Sequence, residues 1–230
     1  LLNSVGVIPD GNRRFAKKYG LDFKEAYARG FDKVHSVLKW ASEVKVREVY
    51  FWALSFENFS KRSKSELSVL FSLMKKYVDK ALNAKTFVDL DCKVSFFGNR
   101  SVLPKSVLDK MNAIEKQTVD CSSRTIGIGV AYSGREEILN ASKKIVVDVL
   151  DKKISLSDVD ESVFSRYLYV PSSPDLLIRT GSVSRLSGFM PWQAVYSELY
   201  FSKKLWPEFE KRDFYKAVEF FNSTERRFGK

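Results

Sequence analysis

A chain of 230 residues, 44% hydrophobic and 14% aromatic, is long enough for one well-packed domain and too apolar to be disordered. Its net charge of +11 suits nucleic acid, an anionic membrane surface or polyphosphate ligands, and does not choose among them. One histidine and two cysteines argue against a Ser-His-Asp triad, most histidine metal sites and a disulfide framework, leaving carboxylates, arginines and amides to carry any chemistry.

The first strand-like run, 5–8, ends in Pro9-Asp10-Gly11-Asn12-Arg13-Arg14-Phe15. A diphosphate needs such a loop, with backbone N–H donors beside a glycine at a helix start, and cations close by. A carboxylate among arginines makes sense where a divalent cation joins them, because Mg²⁺ binds one or two carboxylates together with substrate phosphates. His35 falls on a helix rich in apolar residues and reads as structural. The run 46–54 is almost continuously apolar, as in a strand covered on both faces. It ends in Ser55-Phe56-Glu57-Asn58-Phe59, followed by Lys61-Arg62.

From Leu67, the apolar positions Leu70, Phe71, Met74, Val78, Ala81 and Leu82 form a helical stripe. Ser63 and Glu66 predict a capping box at its start. Strands follow at 92–97 and 125–132, and the second leads into Tyr132-Ser133-Gly134-Arg135, where Ser133 and Glu136 predict another box. Cys92 and Cys121 read as buried thiols. The last predicted strand, 176–179, ends in Arg179-Thr180-Gly181, with Arg185-Leu186-Ser187 just beyond. Arginine forks pair bidentately with phosphate oxygens, so this reads as a second diphosphate clamp. Two clamps imply two phosphorylated ligands.

Alternating strands and helices predict an α/β fold: one domain over 1–230, a mostly parallel central sheet and helices on both faces. Right-handed crossovers would bring the polar motifs to one rim, beyond the carboxyl ends of the strands. No apolar run approaches the roughly 20 residues of a membrane span. No signal peptide is visible, so four Asn-x-Ser/Thr matches carry little weight and a cytoplasmic location is expected.

These motifs, in this order, resemble the cis-prenyltransferases, the undecaprenyl and dehydrodolichyl diphosphate synthases. The resemblance runs from Ile8 to Gly229 and includes Trp192-Gln193-Ala194-Val195-Tyr196-Ser197-Glu198-Leu199-Tyr200-Phe201, Leu205-Trp206-Pro207 and Glu225-Arg226-Arg227-Phe228-Gly229. Asp-Gly-Asn-Arg-Arg followed by an aromatic resembles the archaeal and eukaryotic branches. Bacterial members usually have Gly and Trp at Arg13 and Phe15, and Arg and His at Phe23 and Tyr27. A general-acid role for that histidine is therefore not carried over.

The resemblance implies Mg²⁺-dependent condensation of isopentenyl diphosphate with farnesyl or geranylgeranyl diphosphate, giving a Z-polyprenyl diphosphate for a lipid carrier. Asp10 and Asn58 are the implied catalytic residues. Gly11, Asn12, Arg13, Arg14, Phe15, Tyr27, Ser55, Phe56, Glu57, Phe59 and Arg62 are implied on the substrates, with Lys61 an alternative to Arg62. Arg179, Arg185, Leu186 and Ser187 are implied for isopentenyl diphosphate. Glu198 would complete the metal site with Asp10 across a homodimer interface, and Arg227-Phe228-Gly229 would reach the partner subunit. A hydrophobic tunnel between sheet and helices would hold the growing chain, lined by Ala53, Leu70, Met74 and Ile126 or Ile128.

A long hydrocarbon product further implies peripheral contact with a membrane surface. Three alternatives are a shorter-chain cis synthase, a non-catalytic partner subunit and a basic nucleic-acid-binding domain. Asp10 argues against the second, because such subunits lose it. Arginines gathered at strand ends favour compact phosphates over a duplex track, so no nucleic acid is expected.

Overall fold

The computed structural model describes residues 1–224. The strands are β1 (Ser4–Ile8), β2 (Glu48–Ser55), β3 (Cys92–Phe97), β4 (Arg124–Tyr132), β5 (Leu176–Arg179) and β6 (Glu198–Phe201). The α-helices are α1 (Asn12–Tyr19), α2 (Phe23–Glu43), α3 (Phe56–Lys61), α4 (Lys64–Asn83), α5 (Thr86–Asp89), α6 (Lys105–Gln117), α7 (Gly134–Leu150), α8 (Glu161–Tyr167) and α9 (Lys211–Ser223). The strands form one six-stranded sheet in the order β3-β4-β2-β1-β5-β6, and every neighbouring pair is parallel.

Period-two alternation sorts the strand side chains onto two faces. Val5, Val7, Val49, Phe51, Leu176 and Ile178 pack against Val37 and Ala41 of α2 and Phe214 and Phe221 of α9. Farther along this face, Val94, Phe96 and Val130 meet Leu70, Phe71 and Met74 of α4 and Met111 and Ile114 of α6. The opposite face places Ile8, Tyr50, Trp52, Tyr132 and Leu177 against Phe189, Met190 and Ala194. There Glu137 of α7 accepts hydrogen bonds from Tyr132 Oη (2.6 Å), the Tyr169 N–H (2.7 Å) and Gln193 Nε2 (3.2 Å). Burial raises the pKa of this carboxyl, and its hydrogen bonds oppose the rise.

Four expectations change. The strand β6 lies in the aromatic-rich segment around Glu198, too short and irregular in pattern to announce itself. Ser63 does cap α4, its Oγ accepting from the Glu66 N–H at 3.2 Å. No such cap forms at α7: Ser133 Oγ donates to Glu57 Oε1 (3.0 Å), and Glu136 accepts from Asn99 Nδ2 (2.7 Å). Both side chains are drawn off by partners from other strand ends. Cys92 is buried, whereas Cys121 is only half-buried and His35 is exposed.

Candidate active site

Parallel strands put all carboxyl ends at one rim, and β1 lies between β2 and β5. The loops after these three strands, with the one after β4, therefore converge. They border a cleft of about 1360 Å³, above the roughly 300–1,000 Å³ of a pocket for one small ligand. Its polar wall includes Asp10, Arg13, Arg14, Asn58, Arg179 and Arg185. Its apolar wall runs between α2 and α4, through Phe31, Val34, Leu70, Phe71 and Met74. Ala53 is exposed into the cleft because a register shift between Trp52 and Leu54 breaks its pairing with β4. Ile126 and Ile128 do not reach the wall; Ile126 is 3% exposed and packs beneath it.

The loop after β1 is fixed by Gly11, which takes φ 117° as the N-cap of α1 and offers no side chain to cap it. A Cβ there would lie 2.9 Å from a Leu205 methyl, so only glycine fits both the angle and the space. The first N–H groups of α1 thus face the rim without a side-chain cap, the arrangement that favours an anion. Asp10 sits between two guanidiniums, its Oδ2 2.9 Å from Arg179 Nη2 and its Oδ1 3.2 Å from Arg14 Nη2. Arg14 also donates to the Gly181 carbonyl at 2.6 Å.

Arg179 is the buried member of this set, its side chain 8% exposed. Its Nη1 donates to the Arg185 carbonyl (2.6 Å) and Ser187 Oγ (2.7 Å), while Nε is buried without a partner. The residue expected purely as a phosphate clamp also braces Asp10 against the 185–187 segment. Arg185 and Ser187 are exposed on the cleft, and Arg185 Nε donates to Ser187 Oγ at 3.2 Å. Ser187 is held at φ 55°, a left-handed conformation that costs an L-residue roughly 1–2 kcal/mol.

Ser55 caps α3, accepting from the Asn58 N–H at 3.0 Å, which places Glu57, Asn58 and Lys61 on the cleft. Arg62 follows, and both Lys61 and Arg62 reach the wall. Tyr27 is also on the wall, its hydroxyl donating to buried Glu66 at 2.6 Å. Burial drives this phenol far above its ordinary pKa, so it remains protonated. Neither the Tyr27–Glu66 contact nor the Asp10–Arg179 pair is visible as a spacing in the sequence.

Four expected contact residues turn away from the cleft. Phe15 is buried against Ala16 and Ala26, Phe56 and Phe59 pack onto the α4–α6 core, and Leu186 packs against the opposite-face core. Each is apolar beside polar neighbours, and burial of such a side chain is the larger gain. Glu198 opens β6 opposite Leu176, at the amino end of β5, whereas Asp10 lies beyond the carboxyl end of β1. Within one chain Glu198 therefore does not join Asp10, and the described residues contain no cluster of three acidic, histidine or cysteine side chains that could hold a metal. Arg227-Phe228-Gly229 lies outside the described residues.

A cleft cationic at its rim and apolar below defines a class of enzyme that takes diphosphate esters by the head and hydrocarbon by the tail. Comparison with known proteins makes the class specific. The family model described as putative undecaprenyl diphosphate synthase matches residues 8–229. A tritrans,polycis-undecaprenyl-diphosphate synthase (geranylgeranyl-diphosphate specific) of Thermoplasma acidophilum is 38% identical, over 98% of this chain and 88% of its own length. An isoprenyl transferase of Thermotoga maritima is 41% identical over 98% of this chain and 95% of its own.

Among solved structures, lavandulyl diphosphate synthase from Lavandula x intermedia, in complex with dimethylallyl diphosphate, superposes with a TM-score of 0.94 at 32% identity, covering 100% of this chain and 98% of that one. A probable undecaprenyl diphosphate synthase from Campylobacter jejuni gives 0.82 at 30% identity, covering 100% and 99%. The chain belongs to the undecaprenyl diphosphate synthase family, the cis-prenyltransferases, in an archaeal-like branch.

Proposed function

We propose that the chain extends an allylic diphosphate with isopentenyl units, repeatedly, to a Z-polyprenyl diphosphate. The observation that carries this reading is one cleft with two arginine clusters at its rim, meeting at Asp10, above an apolar wall. The names of the archaeal relatives favour geranylgeranyl diphosphate as primer. The whole of 1–230 acts as one unit, since all six strands of the described residues join one sheet.

The allylic C–O bond breaks and its electron pair leaves on the diphosphate. The terminal carbon of the isopentenyl double bond attacks the allylic carbon, and the resulting cation loses a proton from its C2 to diphosphate or water as the new Z double bond forms. The α1 N-terminus and Arg13–Arg14 favour the charge that grows on the leaving group, more than they favour the ground state. Arg185 and Ser187 hold the isopentenyl diphosphate so that its double bond faces the allylic carbon, a proximity effect. Asn58 orients the reacting ends, because a neutral amide is a poor base.

The donor set at Asp10 suits Mg²⁺ brought in with the diphosphate: one carboxylate, one-third exposed, and no preformed cage among the described residues. When bound, Mg²⁺ would neutralise charge on the leaving diphosphate. Glu198 would serve the metal of a partner subunit in a homodimer. Exposed Val195, Tyr196 and Leu199 beside it, and Leu139, Val146, Val147 and Leu150 on α7, are the apolar surface such a dimer would cover. No helix of the described residues is long and apolar enough to cross a membrane; the peripheral membrane contact proposed rests on the long hydrocarbon of the product.

Incubation with Mg²⁺, labelled isopentenyl diphosphate and either farnesyl or geranylgeranyl diphosphate, followed by product chromatography, tests this function. A ladder of longer diphosphates is expected, and better from geranylgeranyl diphosphate. No incorporation from any allylic primer would reject the proposal.

Gly181 gives a local check. It takes φ 88°, and a Cβ there would stand 2.4 Å from Arg14 Nη2 and 3.0 Å from the Asp10 carbonyl oxygen. Gly181→Ala should cost roughly 1–2 kcal/mol through the angle alone. It should also lower kcat at least tenfold by pushing Arg14 off Asp10. A thermal melt run beside steady-state kinetics checks both, and unchanged kcat would show that this pair is not used.

A further inference from the structure

Glu66 is 6% exposed, near the start of α4, and is not on the cleft wall. It nevertheless holds three residues that are. Its Oε1 accepts from Tyr27 Oη at 2.6 Å and lies 3.4 Å from Arg62 Nε and 3.9 Å from Arg13 Nε. The Arg62 guanidinium stands over the Tyr27 ring, 5.6 Å from its centroid, and that of Arg13 over Phe23 at 5.9 Å. One carboxylate thus collects the first turn of α4, the residue after α3, the second turn of α2 and an arginine at the start of α1.

We propose that Glu66 is a positioning residue for the allylic-diphosphate half of the site. It sets the plane of Arg62 and the direction of the Tyr27 hydroxyl while touching no substrate itself. The inference rests on the reading that this half of the cleft takes an allylic diphosphate. Two opposing effects decide its sign. A carboxylate near the site repels the anionic substrate, so its removal would by itself tighten binding. Against that, the carboxylate is outnumbered by two guanidiniums, leaving the cluster net positive.

A guanidinium without a partner also recovers large rotamer freedom, which must be lost again on binding. Arg62 Nη1 is already buried without a hydrogen-bond partner. Its fork therefore depends on Nε–Glu66 and the Tyr27 ring for its orientation. Orientation is the larger effect, and loss of Glu66 weakens the allylic diphosphate specifically. The Tyr27 phenol, kept protonated by burial, supplies a fixed donor to Glu66 and adds no charge.

Steady-state kinetics of the full chain with geranylgeranyl diphosphate, isopentenyl diphosphate and Mg²⁺ test this. Glu66→Gln should raise the KM for geranylgeranyl diphosphate at least tenfold, leaving kcat and the KM for isopentenyl diphosphate within threefold. Glu66→Asp should recover part of the loss. Tyr27→Phe should raise the same KM, and the double variant should show less than the product of the two effects, because both act through one contact. A lower or unchanged allylic KM in Glu66→Gln, an equal rise in both KM values, or a loss in kcat alone would overturn the proposal.

If Glu66→Gln does not fold, Tyr27→Phe decides, and an unchanged allylic KM there overturns it equally. If the native chain incorporates no isopentenyl units, the proposed function fails separately. Calorimetric binding of inorganic pyrophosphate with Mg²⁺ then judges Glu66: a tenfold weaker affinity in Glu66→Gln upholds its positioning role, and an unchanged affinity removes it.

Discussion

Asp10→Ala is expected to lower kcat by about 10²–10³ or more, the scale on which a preorganised electrostatic group is lost from a reacting centre. Asp10 is the only carboxylate in its loop, and two guanidiniums contact it, Arg179 at 2.9 Å and Arg14 at 3.2 Å. The same contacts make the alanine variant risky for the fold. A buried charge stripped of its partner costs about 3–5 kcal/mol. Asp10 is one-third exposed, however, so water offsets part of that for Arg179. Asp10→Asn keeps the shape and the hydrogen-bond acceptor while removing the charge, and separates the two effects. Circular dichroism and a thermal melt establish that each variant is folded, and single-turnover kinetics read the chemical step. Near-normal kcat in a folded Asp10→Ala protein would remove Asp10 from the reaction.

Arg185→Ala should raise the KM for isopentenyl diphosphate at least tenfold with a much smaller effect on the allylic primer. Hydrogen bonds to charged groups contribute about 1.5–3 kcal/mol each, and a tenfold change is 1.4 kcal/mol, so one lost contact suffices. Arg185 is exposed and its Nε donates to Ser187 Oγ at 3.2 Å, so truncation leaves the core intact and Ser187 Oγ still held by Arg179 Nη1 at 2.7 Å. Arg185→Lys should recover little, because an ammonium cannot reproduce a planar fork. Separate titrations of the two substrates decide the case. A rise confined to the allylic primer would exchange the two halves of the cleft.

Much of this architecture was legible from residue types alone. Five of the six strands announce themselves as apolar runs with polar ends, and Leu70, Phe71 and Met74 reach the cleft on the helix their spacing predicts. Strand β6 carries no such signal, because Glu198–Phe201 is four residues with a charged start and only partial burial. The arginines and Asp10 were readable as chemistry because charge at a strand end has few structural uses. Phe15, Phe56, Phe59 and Leu186 turn from the cleft for the converse reason: adjacency in a motif does not settle which way an apolar side chain turns. Glu66 read as half of a capping box, a local role, since its partners Tyr27 and Arg13 lie 39 and 53 positions away along the chain. Long-range polar contacts leave no periodic trace.

The brace formed by Arg179 has a bearing on processivity. In each condensation the allylic substrate surrenders its diphosphate, and the lengthened product keeps the one that arrived with the isopentenyl unit. On the proposed assignment of the two diphosphates, that head group must change places before the next round, from the Arg185–Ser187 side to the Arg13–Arg14 side. A single buried guanidinium bonded at once to Asp10, the Arg185 carbonyl and Ser187 Oγ means that the two berths share a wall. Under that assignment the head group would be handed across without leaving for solvent, while the hydrocarbon moved deeper along the apolar wall between α2 and α4. Loosening Arg179 should therefore shorten the distribution of products before it abolishes the first addition.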